Sequence, residues 1–262
     1  MLRTNLVSYL AAALLLAGCS SDSNKLSSKS SIAQASAGDL TAELLADGPM
    51  QTGLTPVYVR VSSGGVTVTD ATLTFMPMMS MSAGTKHSAP VIGPAALGAD
   101  QLYALSVVFQ MATSDMGTWS ATVGVTRPGK TALELTFPAL TVADSGRAKT
   151  FSYVDPAGIS TKYVASFNFK AAPKVGLNPA VLTLHRMQDM MTFIAVEDAS
   201  LELDPQMPSM GHGSPGSVSP TATSLGRYEG QVSFSMPGSW ETTVTVKQGA
   251  VVLGLPKFTT VF

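Results

Sequence analysis

The feature that most constrains this chain is an in-order repetition of short blocks between its two halves. Gly53-Leu54-Thr55-Pro56 returns as Gly176-Leu177-Asn178-Pro179, and Asp70-Ala71-Thr72-Leu73 returns as Asp198-Ala199-Ser200-Leu201. Pro77-Met78-Met79-Ser80-Met81, followed by His87, matches Pro205-Gln206-Met207-Pro208-Ser209-Met210, followed by His212. Tyr103 corresponds to Tyr228, the stretch 107–111 to 232–236, and Trp119 to Trp240. The gaps between blocks differ by a few residues, which places insertions in loops. A tandem duplication is expected, with its boundary near Ser145-Gly146-Arg147.

Each half reads as strands. Val57-Tyr58-Val59-Arg60-Val61, Val66-Thr67-Val68-Thr69, Ala121-Thr122-Val123-Gly124-Val125 and Thr243-Val244-Thr245-Val246 are β-branched and nearly alternating. Gly, Pro, Ser and Asn separate such stretches, and no helical period is convincing beyond the first residues. The expectation is all-β: two tandem immunoglobulin-like antiparallel β-sandwiches, over 38–146 and 147–262. Trp119 and Trp240 open strands as core anchors.

Residues 1–18 read as a signal peptide. Arg3 supplies a positive charge, and the apolar run over 10–17 is too short to span a bilayer. It closes on Leu16-Ala17-Gly18-Cys19, which resembles the lipobox of bacterial lipoproteins and implies cleavage before a lipidated Cys19. Two or more acyl chains anchor stably. By resemblance to lipoprotein sorting rules, Ser20 in place of Asp implies the periplasmic side of the outer membrane. Residues 19–37, rich in Ser with scattered Lys, Asp and Asn, read as the lipidated cysteine and a flexible tether. Cys19 is the only cysteine, so lipidation leaves no thiol for disulfides or metal ligation.

The segment Pro205-Gln206-Met207-Pro208-Ser209-Met210-Gly211-His212-Gly213 carries the most distinctive chemistry. Proline and glycine argue against a helix or central strand there, so its side chains are expected to be at least partly exposed. Two thioethers and an imidazole within six residues suit a soft cation, Cu(I) above all. Met207, Met210 and His212 are the candidate ligands. Met79, Met81 and His87 are their counterparts, with Met76 and Met78 as possible additions. The structural alternative is that these methionines fill core gaps. Strand direction places Met236 at the end opposite this loop. There it would join Met187, Met190 and Met191 in a second sulfur patch, with Met111 and Met116 as counterparts, unless they serve core or rim packing. His185 reads as structural or surface.

The pattern Met207-Pro208-x-Met210-Gly211-His212-Gly213, then Tyr228-x-Gly230 and Phe234-x-Met236-x-Gly238-x-Trp240, resembles the YtkA-like family, related to FixH-like proteins. In the first half His87 follows Met81 by six residues rather than two. The resemblance implies an exported or membrane-associated small β domain, and FixH-like relatives link it to copper handling during oxidase assembly.

A formal net charge of −1, with 13% charged residues, argues against a nucleic-acid partner. No Ser-His-Asp order, paired-carboxylate pattern, HExxH or phosphate loop points to an enzyme. The expected function is a periplasmic lipoprotein that binds Cu(I) through Met/His loops for copper buffering or delivery, held to the membrane by its lipid and acting with a copper-handling protein. The alternatives are a structural or adhesion-type β-sandwich lipoprotein, or an accessory subunit of a metal-efflux or oxidase-assembly complex.

Overall fold

The computed structural model describes residues 29–262. The signal segment, Cys19 and the first part of the expected tether lie outside the described residues. The described chain forms strands and turns, with no helix among them. The first ten strands are β1 (Ser30–Ala37), β2 (Leu40–Ala46), β3 (Gly53–Ser63), β4 (Val66–Thr67), β5 (Thr72–Met81), β6 (Lys86–His87), β7 (Val91–Leu97), β8 (Tyr103–Phe109), β9 (Gly117–Thr126) and β10 (Leu133–Leu140). They build one sheet in the order β1-β2-β3-β8-β7, with β4 paired to β3, and a second in the order β10-β9-β5-β6.

The next eleven are β11 (Ala148–Val154), β12 (Ser160–Phe169), β13 (Gly176–Met187), β14 (Phe193–Ala195), β15 (Ser200–Met207), β16 (His212–Gly213), β17 (Val218–Ser224), β18 (Arg227–Phe234), β19 (Ser239–Gln248), β20 (Val251–Gly254) and β21 (Lys257–Val261). Their sheets run β11-β12-β13-β18-β17, with β14 on β13, and β16-β15-β19-β20, with β21 also on β19. Every named pairing is antiparallel, from Ser30↔Ala46 in β1–β2 to Ser239↔Val261 in β19–β21.

Alternation explains the cores. In β9 the inward set Trp119, Ala121, Val123 and Val125 is buried, and in β19 Trp240, Thr242, Val244 and Val246 are buried. The inner faces of each sheet pair meet in one apolar cluster per half. That is how two sheets with one wet face each become a sandwich. Registers correspond closely: Gly53↔Phe109 and Val59↔Tyr103 in the first half, Gly176↔Phe234 and Leu182↔Tyr228 in the second. Both tyrosines are buried, and each hydroxyl donates to a backbone carbonyl, Tyr103 to Val68 at 3.2 Å and Tyr228 to Val196 at 2.8 Å.

The tether expectation needs correction at its C-terminal end. Ser30–Ala37 is strand β1, paired with β2 over its length. Ile32, Ala33, Ala35 and Ala37 pack on the first core. Small alternating alanines supply a sheet face without a strong hydrophobic signal, so serine-rich composition concealed a strand.

The halves touch. The Asn168 amide bonds both backbone groups of Leu54, accepting from its N–H at 3.2 Å and donating to its carbonyl at 3.3 Å. Ile92, Val108 and Val164 form a small apolar cluster with Leu54 and Phe193 across the boundary. Gly53 has φ +94°, and a Cβ there would stand 2.9 Å from the Arg147 Cβ, so close approach of the linker calls for glycine.

Candidate metal centre

The expected methionine loop of the second half is a strand-hairpin-strand. Met207 is the last residue of β15, and His212 opens β16 directly opposite it. The turn closes with the N–H groups of Met210 and Gly211 both donating to the Met207 carbonyl at 3.0 Å. Pro205 does not break β15. Its carbonyl accepts from Ser214 N–H at 3.0 Å, and because the nitrogen and carbonyl of one strand residue point to the same side, its missing donor faces away from β19 and removes nothing from that ladder.

The expectation of exposure holds for Met210, 62% exposed at the turn, and fails for Met207, which is 3% exposed. Met207 belongs to the second core, and its methyl lies 2.9 Å from where a Cβ on Gly238 would stand. The inward position of residue 207 on β15 decides this, since alternate residues Leu201 and Pro205 are also buried. His212 is half-buried, and its ring stands edge-on to Trp240 with centroids 5.6 Å apart.

The first half repeats the arrangement. Met79 pairs with His87 across β5–β6 and with Trp119 across β5–β9. The His87 ring lies edge-on to Trp119 at 5.7 Å. Met79 is fully buried, and Met79 and Met81 close on Gly117, the Met81 sulfur 3.1 Å from a would-be Cβ and the Met79 methyl 2.9 Å. Gly117 and Gly238 each precede their tryptophan by two residues, so the same missing side chain admits a methionine in both halves. Met76 and Met78 fall on the alternate face of β5 from Met79 and Met81, with Met76 54% exposed. The sheet separates them from His87, and the structure does not bring them to this site.

The two imidazoles share one contact. His87 Nδ1 is 2.9 Å from the carbonyl oxygen of Ser88, and His212 Nδ1 is 3.1 Å from that of Gly213. A carbonyl oxygen only accepts, so at His212 the contact places the proton on Nδ1 and leaves the lone pair on Nε2, whereas His87 Nδ1 also lies 3.1 Å from Gln110 Nε2, an amide nitrogen that only donates and so calls for the lone pair at Nδ1. A backbone carbonyl that fixes the tautomer in this way is what a metal-ligating histidine ordinarily uses. Gln110 Nε2 donates to the same Ser88 oxygen at 2.8 Å.

The expected position of Met236 is reversed. Trp240 Nε1 donates to the Met236 carbonyl at 3.0 Å, and Trp240 also touches His212, so Met236 sits at the hairpin end. The cause is β17, hidden in Val218-Ser219-Pro220-Thr221-Ala222-Thr223-Ser224, which adds a pass across the sandwich before Tyr228. Each later strand end is thereby inverted. Met187 and Met190 lie at the opposite end, where they meet the first half. They line a cavity of about 450 Å³ with His87, Gln110 and Met111. The methionines were visible in the sequence, but their meeting across the boundary was not.

His185 is buried on β13, opposite Val164 and Ala195, with Nδ1 lacking a hydrogen-bond partner. Desolvation pushes its pKa down to about 4, only partly offset by a backbone hydrogen bond at Leu225. The group is a neutral core imidazole, as the structural reading expected. Asp100 and Asp155 hold turns, accepting from Leu102 N–H at 3.2 Å and Ile159 N–H at 2.8 Å. Among the described residues, no three His, Cys, Asp or Glu side chains converge as a metal site. Any cation held here would therefore rest on thioethers and single imidazoles.

A search of curated proteins found no match to the chain. Residues 160–245 match the family model described as YtkA-like. The match starts at the first residue of β12 and ends within β19, and so takes in Met207, Met210, His212 and Trp240. The second half of this chain carries a YtkA-like domain.

Proposed function

We propose that this chain is an exported lipoprotein of two tandem YtkA-like, immunoglobulin-like domains that binds Cu(I) through its Met/His hairpins, for buffering or delivery. It is not an enzyme in this reading. Cys19 is its lipid anchor to the outer membrane, and a copper-handling protein is its partner. The observation that carries the proposal is the matched pair of imidazoles. In each half a histidine directly opposite a buried methionine sets Nδ1 against a backbone carbonyl and its ring edge-on to a tryptophan, and at His212 that contact leaves Nε2 able to ligate. Thioether and imidazole are neutral, soft to borderline ligands that favour Cu(I). In the second half Met210 supplies the exposed thioether and His212 the nitrogen. Met207 stands behind them, and Met79, Met81 and His87 form the counterpart set.

Burial of Met207 and Met79 favours the second reading, a structural or adhesion-type β-sandwich whose hairpin methionines pack. Anaerobic Cu(I) titration of the full chain against a chromophoric chelator separates the two. Met210→Leu with His212→Asn weakens Cu(I) binding at least tenfold, about 1.4 kcal/mol, if the hairpin is a ligand set. Unchanged binding sinks the copper reading of this hairpin.

A further inference from the structure

We infer that the two halves jointly form a soft-cation site in the cavity at their boundary, with the His87 imidazole and the thioethers of Met111, Met187 and Met190 as its donors. The inference deepens the copper reading, resting on the same donor chemistry, but it recruits three methionines that belong to neither hairpin.

Four observations carry it. The cavity, of about 450 Å³, is lined by all four residues and can admit an ion with its entering ligand. The second half's contribution is fixed in place, because Ser88 N–H donates to the Met190 carbonyl at 2.8 Å, and Asp189 Oδ1 accepts from Met191 N–H at 2.7 Å and Thr192 N–H at 2.8 Å. The Met190 side chain is 44% exposed, so it is not buried in either core and stays open to an entering ion. Gln110, also on the cavity wall, leaves its buried Oε1 without a hydrogen-bond partner. Three thioethers and one imidazole make a neutral four-donor set of the kind that suits Cu(I) or Ag(I).

Lys149 and Lys162 line the same cavity, and no carboxylate does among the described residues. Their charges oppose any cation, and a divalent ion about twice as strongly as a monovalent one. The site therefore selects a monovalent soft ion, and added salt, by screening the lysines, tightens its binding.

Equilibrium dialysis of the full chain with Ag(I), which needs no reductant, tests this. Met111→Leu, Met187→Leu and Met190→Leu together keep volume and remove sulfur. The triple variant is expected to lose one bound Ag(I), or to hold it at least tenfold more weakly. The hairpin variant Met210→Leu, His212→Asn should lose a different ion, and the combination both. A triple variant that binds Ag(I) as the parent does overturns the inference while leaving the hairpin reading intact. Loss in the triple variant with none in the hairpin variant overturns the hairpin reading instead. Should the triple variant misfold by near-ultraviolet circular dichroism, Met190→Leu alone, at an exposed position, must still weaken one site severalfold. Lys149→Gln with Lys162→Gln must tighten Ag(I), and weaker binding would show that the cavity is no cation site.

Discussion

Ser88 and Met190 are joined by a backbone hydrogen bond of 2.8 Å that runs from one half of the chain to the other. Ser88 follows His87, and Met190 tips the β13–β14 turn, so the bond brings the first half's imidazole to the second half's methionines. The same boundary is held by Asn168, whose amide satisfies both backbone groups of Leu54. Asn168→Ala leaves that N–H and carbonyl unpaired in a part-buried setting. A loss of about 1–3 kcal/mol is expected, read as a lower midpoint in urea unfolding. A neutral result would show that the halves do not depend on this contact.

Met207 and Met210, three residues apart, should behave oppositely. Met207→Ala opens space beside Gly238 and Trp240 in the second core and costs about 2–5 kcal/mol. Met210→Ala, at the exposed turn, should move stability by no more than about 0.5 kcal/mol. Chemical denaturation of the two single variants provides the comparison, and equal losses would contradict the burial difference.

His185 couples stability to pH. Its folded pKa is depressed to about 4 by burial, below the ordinary 6.5. The unfolded chain therefore binds more protons between those values, and stability rises with pH across that window. The contribution is complete above pH 6.5, declines as pH falls toward 4, and amounts to about 3 kcal/mol. His185→Gln should flatten the stability profile between pH 4 and 6.5, as measured by thermal unfolding across that range. A slope that persists in the variant would assign it to other groups.

Cys19 can be tested independently of the fold. If it carries the anchor, Cys19→Ala exported with an intact leader should move to the soluble fraction on cell fractionation, with unchanged unfolding behaviour. Retention in the membrane fraction after export would remove the lipid-anchor reading.

The strand content and the correspondence of the halves were legible because alternation and repeated blocks are local properties of the chain. Tyr103 and Tyr228 take matching registers, against Val59 and Leu182, as the repeat implied, and Trp119 and Trp240 each begin the buried alternation of an inner strand. Strands β1 and β17 were not legible. Each is an edge strand of small or polar residues, stabilised by its neighbour's ladder rather than by its own hydrophobicity.

The candidate site divides along the same line. The amino-acid order alone set which soft donors exist and paired each strand-end methionine with a following histidine. Only the tertiary structure decided that Met207 and Met79 face inward while Met210 faces water, because the period-2 geometry of β5 and β15 is referenced to a core the sequence does not locate. It also decided that Met187 and Met190 meet His87 and Met111. That meeting depends on the number of times the chain crosses each sandwich, and one unread strand reverses the end at which every later loop emerges.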